Sequence, residues 1–242
     1  MPSKIKGVPS RREERQSDRR QFIIAVARRS FLQDGYAQTT MSGIAATLGG
    51  SKSTLWRYFP SKEELFTAVL DQATSEYHKR LCLILDPSED VATAVERFCF
   101  NFLKTVTSAD ALSLYRLVVG EGARFPEIGQ IYHARVQSVT NKILANYFAK
   151  AMSCGSLREG HPLRLAQALR GLCISKVEDF LLSGATEIYR DEVIDSDVNE
   201  VRDISSVPLL VTNRPSSPSC SITSPLYNVH LLAMLYLLNG EE

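Results

Sequence analysis

Apolar side chains recur three and four positions apart through most of this chain, with charged and polar residues filling the intervals, the signature of amphipathic helices sharing a core. The first stripe is Phe22, Ile23, Val26, Ala27 and Phe31, and Asp34-Gly35 closes it with glycine in the usual C-terminal place. Met41, Ile44, Ala45 and Leu48 then describe a short second helix, with Thr40 before it as N-cap. Gly49-Gly50 breaks that helix, and Ser51 caps a third on which Leu55 and Phe59 face inward while Lys52, Ser53, Trp56 and Arg57 face out. Pro60 ends the third helix, and Ser61-Lys62-Glu63-Glu64 reads as a capping box opening a fourth, with Leu65, Ala68 and Val69 on its buried side. Residues from about Arg19 to Phe66 thus suffice for a small helical head with the layout of a helix-turn-helix.

The helical period continues beyond the head. The fourth helix runs to about Leu85, and Asp86-Pro87-Ser88 breaks it. Val91, Val95, Phe98, Phe102 and Val106 mark the next helix, and Leu112 to Val119 is apolar enough to be buried on several faces. A connection spans Gly120 to Glu127, a long helix follows from about Glu127 to Met152, and another from about Leu163 to Leu182. The expected fold is all-α: a three-helix head joined to a helical-bundle body. Its expected divisions are a flexible basic arm (1–18), the head (19–66), the body (67–200) and an atypical tail (201–242). In that tail Ser205-Ser206-Val207-Pro208 and Asn213 to Ser221 have the composition of a disordered segment, and Leu226 to Leu238 is a short apolar run. A change of reading frame near residue 200 would account for the shift in composition.

Charge sharpens this picture. Up to Lys62 there are 12 Lys and Arg against 4 Asp and Glu, whereas the whole chain carries 28 against 27, so a basic head sits on an acidic body. Arg11, Arg12, Arg15, Arg19 and Arg20 precede the first apolar stripe, where they would lie along phosphates or enter a minor groove. Five cysteines (82, 99, 154, 173, 220) lack C-x-x-C spacing, and four histidines (78, 133, 161, 230) form no helical ligand pair, so no metal and no cofactor is expected. Neither G-x-S-x-G nor H-E-x-x-H nor a phosphate-cradling loop is present, which argues against an enzyme. No apolar run reaches the roughly 18 residues a membrane span needs, and the expected location is the cytoplasm.

Gly35, Thr39-Thr40, Ile44-Ala45, Ser51, Thr54-Leu55, Tyr58-Phe59 and Ser61-Lys62-Glu63 together resemble the N-terminal domain of the TetR family of transcriptional regulators. The resemblance implies that Thr40, Tyr58 and Lys62 meet DNA phosphates and that Ser51, Lys52, Ser53, Thr54, Trp56 and Arg57 belong to the same interface. Three positions depart from the family pattern: Gly50 stands for valine, Ser53 for glycine and Trp56 for tyrosine, which bears on which operator is read. Leu114 to Gly129 is similar to a segment of the regulatory domains of one TetR subgroup. The implied protein is a dimeric repressor on a palindromic double-stranded operator, released by a small, apolar or aromatic effector. The Leu163 to Leu182 helix would be the first of two that pair with a second subunit. Phe98, Phe102, Tyr115, Phe125, Tyr132 and Tyr147 are the candidate pocket aromatics. The alternative is a helical interaction protein of the same fold that no longer reads DNA.

Overall fold

The computed structural model describes residues 10–49, 52–182 and 193–199. The expected positions Gly50 and Ser51, the segment around Thr186, and the tail from residue 200, with its apolar run and proposed frame change, lie outside these. Every element among the described residues is helical.

Helix α1 (Arg11–Gln38) begins a full eight residues before Arg19. The cause is a capping box: Ser10 Oγ accepts from Glu13 N–H, and the Glu13 carboxylate accepts from Ser10 N–H at 2.7 Å. The Arg- and Glu-rich turns that follow favour helix without needing a buried face. Residues 11–18, expected as a flexible arm, are therefore two exposed helical turns. At Gly35 the helix breaks, with φ +83°, a conformation glycine reaches without a Cβ penalty. Helix α2 (Met41–Thr47) is capped by Thr40, whose hydroxyl oxygen accepts from Gly43 N–H at 3.0 Å. Helix α3 (Lys52–Tyr58) follows, with Leu55 and the succeeding Phe59 buried. Helix α4 (Lys62–Ile84) starts at Ser61, which accepts from Glu64 N–H at 3.1 Å.

The body comprises α5 (Val91–Val106), capped by Asp90, and α6 (Ala109–Glu121), capped by Ser108. It continues through α7 (Pro126–Tyr132), a π-helical turn over His133–Gln137, α8 (Ser138–Ser153) and α9 (Pro162–Leu182). Two expectations are corrected. Gly120 and Glu121 belong to α6, so the expected connection shrinks to a turn before Phe125. The single helix expected from Glu127 to Met152 contains the π turn, which shifts its hydrogen-bond register and so re-aims the faces on either side.

Two cores meet along α4. The first unites α1, α2, α3 and the start of α4 with Leu114, Leu117, Val118 and Ile128 of the body. At its centre Phe31 stacks on Tyr36 at 5.6 Å, and Phe66 meets both edge-on at 5.3 and 5.4 Å. The second joins Tyr77 and Leu81 of α4 to Phe98, Phe102 and Leu103 of α5, Leu144 and Phe148 of α8, and Ala166, Leu169 and Cys173 of α9. Leu65 to Leu70 thus serve the head, while Tyr77 and Leu81 serve the body. One helix carries both.

Candidate nucleic-acid interface and effector cavity

The two-turn helix α3 presents Lys52, Ser53, Trp56 and Arg57 on its exposed side while Leu55 anchors it to the core. Trp56, a large apolar ring, is left 38% exposed. Thr54 and Tyr58 are half-buried at the edges of this face, and the Arg57 guanidinium lies 5.6 Å from the Tyr58 ring centre. Beside it the first turns of α1 form an open groove of about 590 Å³ lined by Arg11, Arg12, Arg15, Gln16, Arg19 and Tyr58. The helical start of α1 therefore sets four arginines next to the exposed side of α3. Thr40 keeps a hydroxyl proton to donate, because its cap uses only the oxygen as acceptor.

Lys62, which the resemblance places at a DNA phosphate, is engaged within the head in this structure. Its ammonium donates to the carbonyls of Tyr36 at 2.9 Å and Thr39 at 3.2 Å and lies 3.9 Å from the Tyr36 ring centre. Partial burial lowers its pKa against the opposing pull of Glu63, Glu121 and Glu127. Three donors shared among two carbonyls and a ring face make Lys62 a brace for the turn after α1. Glu63 beside it is held below the usual carboxylate range by backbone N–H donation and the Ser61 hydroxyl.

A cavity of about 180 Å³ lies between α1, α4, α5, α6 and the π turn. Leu32, Val69, Ala73, Phe102, Val106, Ala111, Leu114 and Val136 give it apolar walls, and Arg28 and Asp110, joined as an ion pair, belong to its lining. Tyr77 is 8% exposed, and its hydroxyl lies near Thr140 without a well-formed hydrogen bond. Burial pushes the pKa of this phenol up, so it stays protonated and able to donate. Thr140 instead donates to the Val136 carbonyl at 3.0 Å. Thr74, Thr105, Ser108 and Thr140 add hydroxyls to the lining, and a buried polar group left unpaired beside such a cavity is the kind of group a ligand satisfies.

Of the six candidate aromatics, Phe102 and Tyr132 line this cavity. Tyr115 lies on a smaller void of about 30 Å³ that shares Tyr132, and its hydroxyl donates to Glu178 at 2.9 Å. The other three are placed elsewhere. Phe98 stacks behind Phe102 in the core, Tyr147 is buried within the body core, and Phe125 packs against Tyr36 where head meets body. Helical spacing alone cannot separate an aromatic that lines a void from one that fills it. Sequence reasoning missed Tyr77 and Thr140; Val69, Ala73 and Tyr77, four residues apart on one face of α4, were the available signal for the first.

Comparison with known proteins agrees with this architecture. The pattern of bacterial regulatory proteins of the tetR family matches residues 23–69, and that of the C-terminal domain of AefR-like transcriptional repressors matches residues 93–203. An uncharacterised HTH-type transcriptional regulator of Bacillus subtilis, YhgD, is 32% identical over 87 residues, covering 36% of this chain and 46% of that protein. The chain thus spans about half the length of the first curated relatives it matches. The nucleoid occlusion factor SlmA of Edwardsiella ictaluri is 30% identical over 179 residues, 71% of this chain and 87% of that protein. Among solved structures, a TetR-family regulator of Mesorhizobium loti shares the fold with a TM-score of 0.68 at 20% identity, covering 78% of this chain and 95% of its own. The flavonoid-responsive regulator FrrA does so with a TM-score of 0.66 at 24% identity, covering 77% and 94%. The described residues are helical throughout, and both matching patterns are those of helix-turn-helix transcriptional regulators. The chain belongs to the TetR family.

Proposed function

We propose that this regulator acts as a ligand-responsive repressor: a symmetric dimer whose two heads meet the half-sites of a palindromic operator about one helical turn apart. The observation that carries the reading is the exposed side of α3, where Lys52, Ser53, Trp56 and Arg57 stand beside the arginine groove of α1. Arg57 or Lys52 suits the O6/N7 edge of guanine, and Trp56 suits a thymine methyl or a sugar. Thr40 and Tyr58 contribute phosphate contacts, and the α1 arginines add affinity independent of sequence. Dimerisation through α9 follows the likeness of the body to the C-terminal domain of AefR-like repressors.

The effector belongs in the cavity beneath α1 and α4. A cavity of about 150 Å³ holds benzene, so by size this one suits a single ring, and its mixed lining suits a ring that carries polar groups, one of them for Tyr77. An occupant that prefers one arrangement of head and body shifts operator affinity by its differential affinity for the two.

Selection of bound duplexes from random DNA, followed by gel shifts, tests the reading. The Lys52→Ala/Arg57→Ala variant is expected to lose at least about tenfold in preference for the selected site, since each base contact is worth about 1–3 kcal/mol. Equal selectivity in variant and wild type would remove α3 from the interface. A second reading is supported by the likeness to a nucleoid occlusion factor: binding at chromosomal sites for a purpose other than transcription. Bound sites spread away from promoters, with transcript levels unchanged on deletion, would favour it.

A further inference from the structure

One carboxylate joins the body to the head by two hydrogen bonds. Glu121, the last residue of α6, accepts from Tyr36 N–H through Oε1 at 2.8 Å and from Ala37 N–H through Oε2 at 2.7 Å, across more than eighty residues of sequence. These two amides lie just after the break at Gly35, where the helix no longer supplies them with carbonyl partners. A Cβ at position 35 would stand 2.6 Å from Glu121 Oε1, so the glycine both makes the turn and admits the carboxylate. On the other side of the same peptides, Lys62 holds the Tyr36 and Thr39 carbonyls. Thr39 is buried and donates its hydroxyl to the Gly35 carbonyl at 2.7 Å, and the next residue, Thr40, launches α2. The far end of α6 is also tied to α1, through Asp110 and Arg28.

We propose that Glu121 is the positioning residue of the DNA-reading head: its bidentate grip on the turn after α1 fixes the angle at which α2 and α3 leave the body. The proposal rests on reading the head as a DNA-binding unit. Both ends of α6 are fastened to α1, so this rod carries the arrangement of the body to the turn that launches the helix-turn-helix. In a dimer that angle sets the separation of the two recognition helices. Glu121 therefore governs which half-site spacing is tolerated, beyond any share it has in stability.

The test uses the full chain and the isosteric Glu121→Gln variant, whose amide oxygen can accept from one of the two N–H groups while its NH2 faces the other. Loss of one charge-assisted bond predicts that amide exchange at Tyr36 and Ala37 quickens about tenfold or more while exchange in α5 and α8 is unchanged. Gel shifts then compare the selected operator with versions carrying one or two extra base pairs at its centre. Wild type is expected to discriminate against the altered spacing, and the variant's discrimination to fall toward unity. Unchanged protection of the two amides overturns the proposal. So does an equal loss of affinity for every spacing, which a merely stabilising residue would give. Glu121→Ala, removing both acceptors, should extend both effects. A wild-type chain that selects no DNA refutes the repressor reading instead, and the exchange measurement then decides the grip by itself.

Discussion

At the scale of single residues, the head depends on Gly35. The left-handed φ there costs a side-chain-bearing residue strain, and the carboxylate that a methyl would displace is held by two backbone donors. Gly35→Ala is expected to destabilise the fold by about 1–3 kcal/mol, combining backbone strain with a weakened charged hydrogen bond. Thermal unfolding of wild type and variant measures it, and an unchanged midpoint would refute the account. The aspartate-glycine pair was legible in sequence as a helix end. Its partner Glu121 was not, because an acidic residue beside two glycines carries no sign of where its carboxylate lands.

At the scale of elements, α1 shows how a local signal can outrun a hydrophobic one. Its first two turns have no buried face, so the apolar stripe placed the start near Arg19; the Ser10 to Glu13 capping box places it at Arg11. Ordering these turns brings Arg11, Arg12, Arg15 and Arg19 to one groove with Tyr58. Replacing all four by alanine is expected to lower the salt slope of operator binding by about 3–4 per head, at roughly 0.9 per neutralised phosphate, while leaving sequence preference intact. Binding titrations at several salt concentrations read the slope, and a slope equal to wild type would place the groove off the DNA. Helices α2 and α5 met expectation closely, since each pairs a capping side chain with a stripe of regular period. The long helix through residue 132 did not, because a π turn leaves no mark in a three-and-four spacing.

At the scale of the molecule, phenols tie the parts together. The Tyr115 hydroxyl of α6 donates to Glu178 of α9, and the Tyr36 hydroxyl of the head donates to Glu63 at 3.4 Å. Burial, reinforced by these carboxylates, raises the Tyr115 pKa to about 12 and the Tyr36 pKa further still. A phenol whose pKa is higher in the folded state than in the unfolded one contributes stability that is whole below pH 10. That stability is lost as pH climbs from 10 through about 12 for Tyr115, because the unfolded chain sheds its proton first. Calorimetry across the alkaline range should show the melting temperature falling more steeply in wild type than in Tyr115→Phe. Parallel slopes would mean that neither burial nor Glu178 raises the phenol's pKa.

The sequence by itself determined the helical class, the helix-turn-helix order, the caps at Thr40 and Ser61 and the basic character of the head. These follow from periods, capping residues and charge within a few positions of one another. Only the tertiary structure decided which aromatics line a void and which fill the core. It also turned Lys62 inward and brought Glu121 to the turn after Gly35. Each of those outcomes depends on which helices lie side by side, and on a carboxylate or ring finding partners far along the chain, which no local pattern encodes.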